Sequence, residues 1–198
     1  MRLTLVQGPQ IPLVSVDECK MQLHVDTSAS DTQIESLIEA ATAYLDGFGG
    51  ILGRALRPQT WRLDLPAFPA VACGIELPLP PTIAVSSVSY LDGTTGIEVV
   101  LDPTQYRVIS GGSRGALIRP AIGITTWPTP YAGEPDSVRV VFDAGYQSIS
   151  SPENDAVPQS IREAAIMLVA SWYDRPALED IPEAVYTLIA PYRLAMLT

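Results

Sequence analysis

Histidine and cysteine are scarce in this chain: 198 residues hold one histidine and two cysteines. A single His24 excludes a multi-histidine metal site, and no acidic or cysteine partner stands at ligand spacing from it, so it reads as a helix-end side chain. Cys19 and Cys73 form no CxxC or Cys/His pattern and read as two reduced thiols, the first helical and partly buried. Runs of lysine or arginine are also missing, and 22 acidic against 12 basic residues leave a formal net charge of -10. Tight, direct grip on nucleic acid is disfavoured by that balance, because such affinity comes mainly from cations neutralising phosphates. An acidic surface past which DNA slides remains compatible with it. No stretch approaches the roughly 20 apolar residues of a membrane span. The opening MRLTLVQGPQIPLV has neither a long apolar core nor a small-residue cleavage site, so it does not read as a signal peptide and synthesis in a cytoplasm is expected.

Apolar residues, by contrast, make up 47% of the chain and charged residues 17%, enough to bury a real core in one domain or one domain with an insertion. Ser15 with Glu18 forms a capping-box pattern, with Val14 and Cys19 placed for a hydrophobic staple, and predicts a short helix from Val16 to Val25. Ser30 with Gln33 repeats the signal ahead of Ile34, Leu37, Ile38, Ala41, Leu45 and Phe48, a second helix that Gly47, Gly49 and Gly50 end. From Thr60 the period falls to two. Strand-like runs cover residues 60–65, 74–77, 83–90, 97–101, 105–109, 116–119 and 137–144, punctuated by prolines and by hairpin turns at 92–96 and 110–115. The segment TWPTPYAGEP, 126–135, reads as an exposed loop.

Helix returns after a linker at 148–156. Pro158 opens it, Ile161, Ala165, Leu168 and Trp172 mark one face, and Ile166, Met167 and Val169 widen the apolar surface, so this helix is buried on more than one side or at a subunit contact. Asp174-Arg175-Pro176 closes it, and Pro182 opens a last short helix with Val185, Leu188 and Ile189 that Pro191 cuts short. The fold expected is α+β. N- and C-terminal segments form a small helical bundle (1–58 plus 147–198), with an antiparallel β-sandwich or barrel inserted between them (59–146).

Little in the chain suggests catalysis. Gly111-Gly112-Ser113-Arg114-Gly115 fits the G-x-S-x-G pattern of a nucleophile elbow, but that elbow needs a helix after it and a base later in the chain. Strand-like sequence lies on both sides here and His24 comes first, so a hairpin turn is the reading. Asp174, Glu179, Asp180 and Glu183 lack EF-hand spacing and are broken by Pro176 and Pro182; they read as a solvated turn. Near the C-terminus Tyr186, Leu188, Pro191, Tyr192 and Arg193 form an aromatic, basic and apolar set of the kind enriched at interfaces, although packing of the last helix would use the same residues. With Trp172 and Trp127 they are the candidate protein-interface residues.

The two ends together resemble the head-tail connector, or adaptor, proteins of long-tailed bacteriophages and of related gene transfer agents. At the N-terminus the resemblance rests on Val14-Ser15, Glu18, Lys20, Leu23, Val25, Asp31, Ile34, Leu37-Ile38 and Ala41. At the C-terminus it rests on Val157-Pro158, Ile161, Ala165-Ile166, Tyr173, Arg175, Pro182, Leu188 and Pro191-Tyr192-Arg193. Gln59-Thr60 and Ala144-Gly145-Tyr146 bracket the β segment in the same manner. The resemblance implies a structural virion protein without enzymatic activity or cofactor. Its helical part would build an oligomeric ring, a dodecamer in the particle, between the portal and stopper or tail-terminator proteins at the neck, with DNA passing through unbound. The nearly all-apolar stretch from Ala164 to Tyr173 could supply a face for neighbouring copies. Two readings from other classes stand beside it: a carbohydrate- or host-surface-binding module presenting aromatics from Trp127 to Tyr131, and a serine hydrolase using Ser113.

Overall fold

The computed structural model describes residues 1–111, 115–147, 156–174 and 181–194. The fold is α+β, and the chain divides into two compact units. Met1–Gly8 and Pro58–Gly145 form a β unit, while Pro9–Arg57 and Tyr146–Thr198 form a helical unit.

Eight strands build the β unit: β1 (Arg2–Gln7), β2 (Gln59–Leu65), β3 (Ile75–Glu76), β4 (Thr82–Leu91), β5 (Glu98–Val100), β6 (Tyr106–Ser110), β7 (Ala116–Pro120) and β8 (Val138–Ala144). Five make a sheet in the order β1-β2-β8-β4-β5 and three a second in the order β3-β7-β6, every pair antiparallel. Each sheet ends in two open edges, so the closed-barrel alternative is set aside for two separate sheets.

Side-chain alternation splits the larger sheet cleanly. The register aligns Leu3, Leu63, Val140 and Val88 across four strands on one face. Leu63, Val140, Val88 and the neighbouring Phe142 are fully buried. One residue along, Arg2, Asp64, Arg139 and Ser89 align on the other face. That row alternates in charge. Arg2 and Arg62 both pair with Asp64, and Arg139 bonds Glu98 (2.9 Å) and Asp136 (2.7 Å).

All seven runs read from the sequence form strands, and β1 is an eighth that the sequence reading left with the helical part. R-L-T-L-V-Q has the alternation of a strand, but six residues ending at Gly8-Pro9 gave no local pairing signal. The partner, β2, lies more than fifty residues on. Met1–Gly8 therefore belongs to the β unit rather than to the segment 1–58.

The helical unit contains α1 (Val16–Leu23), α2 (Asp31–Leu45), α3 (Gln159–Asp174) and α4 (Glu183–Ile189). The capping box on α1 is built as the sequence predicts: Glu18 N–H donates to Ser15 Oγ (3.2 Å) and Ser15 N–H to Glu18 Oε2 (2.8 Å). The Glu18 carboxylate also accepts from Arg162 of α3, so one side chain caps a helix and ties two helices together. Ser30, expected to cap α2, does not. A 3₁₀ turn (Ser28–Ser30), capped by Thr27, runs straight into α2, and the Ser30 hydroxyl bonds the Tyr173 hydroxyl at 3.1 Å instead. Phe48, read as part of the α2 stripe, lies beyond the helix end and is 55% exposed.

Seven α3 residues are buried: Ile161, Ala164, Ala165, Ile166, Leu168, Val169 and Trp172. The unit's own core, shared with Leu13, Ile34, Ile38, Leu45, Leu52 and Ile189, uses them. The stretch from Ala164 to Tyr173 is thus largely consumed within the chain and is no spare face for neighbours. The linker at 148–155 and the closing Arg175-Pro176 lie outside the described residues.

Candidate protein interface

The C-terminal candidates are positioned by the phase of α4. Val185 and Ile189, four apart, point into the core and are fully buried, which turns Tyr186 outward. A 3₁₀ turn (Ala190–Tyr192) follows, with Pro191 in its first turn. Leu188 and Tyr192 pack against the core half-buried. Ser160 donates its hydroxyl to Tyr192 Oη (3.2 Å), and the buried Arg54 donates Nε to the Tyr192 carbonyl. Leu194 N–H reaches the Leu52 carbonyl at 3.1 Å, pinning the segment to the loop after α2. Trp172 is buried and meets Tyr44 edge-on, with ring centres 6.3 Å apart.

The candidates therefore sort into two groups. Trp172, Leu188 and Tyr192 hold the helical unit together, whereas Tyr186, Pro191 and Arg193 are exposed. Tyr44 was absent from the sequence reading, yet its hydroxyl lies 3.5 Å from that of Tyr186. Burial first, and then this contact, push the Tyr44 phenol up to about 12, against the opposing pull of Arg193.

Trp127 sits in the β unit and is not a free aromatic. Its ring stacks face to face on Phe68 at 4.8 Å, and Phe68 in turn meets Tyr90 edge-on at 5.8 Å. The loop 126–135 is tied down rather than loose. Tyr131 N–H donates to the Leu91 carbonyl (2.8 Å), Gly93 N–H to the Thr129 carbonyl (3.1 Å), and Ser137 Oγ to the Tyr131 carbonyl (2.6 Å). One ring face of Trp127 is thus already occupied, which weakens a sugar-stacking role, while Tyr131 remains exposed.

Catalytic arrangements do not assemble among the described residues. The segment 111–115 joins β6 to β7, whose register runs to Ser110 opposite Ala116, so a strand follows where an elbow needs a helix. Ser113 itself lies outside the described residues. His24 is an exposed, left-handed cap at the end of α1 (φ 53°). No group of three or more His, Cys, Asp or Glu side chains among the described residues is placed to hold a metal ion, and Glu179 and Asp180 of the acidic turn lie outside them. Both cysteines are free thiols, Cys19 buried and Cys73 exposed. A cleft of about 280 Å³ in the β unit carries only Cys73 and Glu76 as titratable side chains. No helix among the described residues is long and apolar enough to cross a membrane.

What the two units do offer is a division of surface character. The helical unit has six basic and fourteen acidic residues, a formal charge of -8; the β unit has six and eight, a charge of -2. Among the described residues, eleven of the fifteen exposed large apolar side chains lie in the β unit. Charge is concentrated in one and open apolar surface in the other.

No protein-family model and no curated protein sequence matches the chain. Solved structures do. A chain in the virion of a native gene transfer agent particle is similar at 23% identity and TM-score 0.76, over 100% of this chain and 98% of that one. A chain in the neck of an empty gene transfer agent particle computed with C6 symmetry is similar at 23% identity and TM-score 0.73, with the same coverage. A chain in the neck of a native particle computed with C12 symmetry matches at 21% identity and TM-score 0.67, again over 100% and 98%. At these identities the likeness is one of fold, and it extends over both units of the chain.

Proposed function

We propose that this chain is a structural subunit of the neck of a virion or virion-like particle, a head-tail adaptor that forms an oligomeric ring and catalyses no reaction. The observation that carries the reading is the end-to-end fold likeness to chains of the neck and virion of gene transfer agent particles, which spans both units and not one common module. In this reading the ring, a dodecamer in the particle, docks on the portal on one side and on a stopper or tail-terminator protein on the other. The exposed Tyr186, Pro191 and Arg193 are surface available to such a neighbour.

Charge supports the second half of the reading. A passage for DNA must not hold its cargo, and a helical unit of charge -8 repeated around a ring would repel phosphates from any surface it lends to the channel. The helical part, given the ring core by the resemblance, is the part suited to face DNA. Native mass measurement of the purified chain, alone and mixed with its portal, tests the function. A ring of many copies on the portal is expected. Monomers in both samples would overturn it.

A further inference from the structure

We infer that the free edge of β6 is a docking strand for an extended segment of another protein, one carrying an acidic side chain opposite Arg107 and apolar side chains opposite Val108 and Ile109. This concerns the β unit alone and stands apart from the ring reading, which gives that unit no partner.

One stretch reverses the charge of the chain. From Pro103 to Gly133 there is no aspartate or glutamate, while Arg107, Arg114 and Arg119 all occur, so a segment of charge +3 sits in a chain of charge -10. Arg114 lies outside the described residues, but the register sets Arg107 of β6 directly opposite Arg119 of β7. Like charges in that position cost stability. Arg119 donates to the Ala72 carbonyl (2.5 Å), whereas the exposed Arg107 meets no carboxylate among the described residues. The one acid in the three strands, Glu76 of β3, stands opposite Leu117 on the far side of β7. A charge that merely guarded the edge against other chains would be better served by an acid, which would pair with Arg119. Two facing arginines leave an anion as the missing partner.

The backbone of β6 is free to pair. This strand is an edge of the three-stranded sheet, regular in register from Tyr106 to Ser110. Two bonds fix which of its groups are used. The Gln105 carbonyl accepts from Ala121 N–H (2.9 Å), and the Ala116 carbonyl turns the other way to accept from Leu77 N–H (2.8 Å). Successive residues of an antiparallel pair alternate, so Arg107 and Ile109 direct their backbone groups to β7 while Tyr106, Val108 and Ser110 present theirs outward. Pro120, which has no N–H to give, stands opposite Tyr106 as that alternation requires. An antiparallel strand laid along the edge would bond those three residues and bring its side chains closest to Arg107 and Ile109, at the positions between bonds.

The side chains select a polypeptide over nucleic acid. Val108 is 45% exposed and Ile109 37%, on opposite faces of the strand, although Ile118 opposite Val108 is fully buried. The core thus ends at β7, and Val108 and Ile109 leave β6 bare on both faces. Phosphates offer nothing to these side chains, whereas an extended segment covers them and pairs with the outward backbone groups. One unpaired arginine is also far short of the several cations that hold DNA. A second copy of this chain would bring the same arginines to the same edge, so the occupant is a different protein of opposite charge.

Titration of the isotope-labelled full chain with the peptide acetyl-Thr-Val-Thr-Val-Val-Glu-Val-Thr-amide, followed by backbone amide shifts, tests the contact. A second peptide has lysine in place of the glutamate, and a third is the glutamate peptide N-methylated on the residues that would bond β6. The glutamate peptide is expected to shift residues 106–110 and to bind about tenfold more tightly than the lysine peptide. Arg107→Glu reverses that order, and the N-methylated peptide does not bind. Arg107→Ala, which abolishes the order, serves if circular dichroism shows Arg107→Glu unfolded. No binding of the glutamate peptide, equal affinity for the first two peptides, or undiminished binding of the third would overturn the inference, as would shifts confined to β1 or β5. A short DNA duplex that binds at Arg107 more tightly than the peptide would overturn the choice of a protein partner. None of these outcomes bears on whether the chain forms rings, so the neck reading stands or falls by its own mass measurement.

Discussion

Arg2 closes on the carboxylate of Asp64 across the β1-β2 pair, its Nε and one terminal nitrogen each 3.0 Å from Oδ2, although only 1% of the Asp64 side chain reaches solvent. Arg62 approaches the same carboxylate from its own strand at 2.9 Å. Both arginines are partly exposed, so either can rehydrate when freed, whereas the carboxylate cannot. Arg2→Ala or Arg62→Ala alone should cost about 1 kcal/mol, because the second arginine keeps Asp64 paired. The double variant leaves the buried carboxylate without a hydrogen-bonded arginine, with only the longer-range attraction of Arg139 across the sheet, and should cost about 3 kcal/mol, above the sum. Urea denaturation of the four proteins measures this, and additive losses would show that the carboxylate is not shared.

Glu18 links acid stability to the helical unit. Burial raises its pKa, but the Ser15 backbone N–H and hydroxyl and the Arg162 guanidinium outweigh that and leave it below its ordinary 4.5. A depressed folded-state pKa contributes stability that is complete above the unfolded value and is lost as pH falls through the folded one. Wild type should therefore exceed Glu18→Gln in thermal stability at pH 6 to 7, and the gap should shrink as pH drops below about 4.5. A gap that stays constant down to pH 2 would show that ionised Glu18 contributes nothing.

The two thiols should differ sharply in reactivity. Burial, aided by the neighbouring Glu18 charge, pushes Cys19 up to about 11, so almost no thiolate forms at pH 8. Cys73 is exposed. A thiol-reactive chromophore should label one cysteine per folded chain, abolished by Cys73→Ser, and two in denaturant. Rapid labelling of Cys19 in the folded protein would mean that α1 opens readily.

Trp127 should act as a prop and not as a ligand platform. Removing a half-buried ring stacked on Phe68 should cost about 2 kcal/mol in Trp127→Ala. The wild-type chain should give no signal above background on a glycan array. Strong glycan binding lost in Trp127→Ala would turn the interpretation toward a surface-binding module.

Much of the helical unit was legible because its signals are local. The Ser15-Glu18 box and the stripe from Ile161 to Trp172 are read within one to four turns, and both formed as the pattern required. Ser30 shows where that reading stops. The same motif occurs, but its hydroxyl has a partner 143 residues away that no local rule contains. β1 was missed for a related reason, since its ion pair spans 62 residues. At the candidate interface, the phase of Val185 and Ile189 could have assigned Tyr186 to the surface. The stacking of Trp127 on Phe68 depends on how distant strands align and could not have been read that way.

The chain's route through its two units has a consequence for synthesis. It starts in the β unit, leaves after Gly8, returns at Pro58 and leaves again after Gly145. During translation β1 must stay unpaired until β2 has emerged, and the first two helices must wait for α3 to complete their core. Each unit is therefore assembled from segments far apart in this sequence. A nascent chain stalled near residue 57 would hold a lone strand and two helices lacking α3, with the apolar faces of all three uncovered.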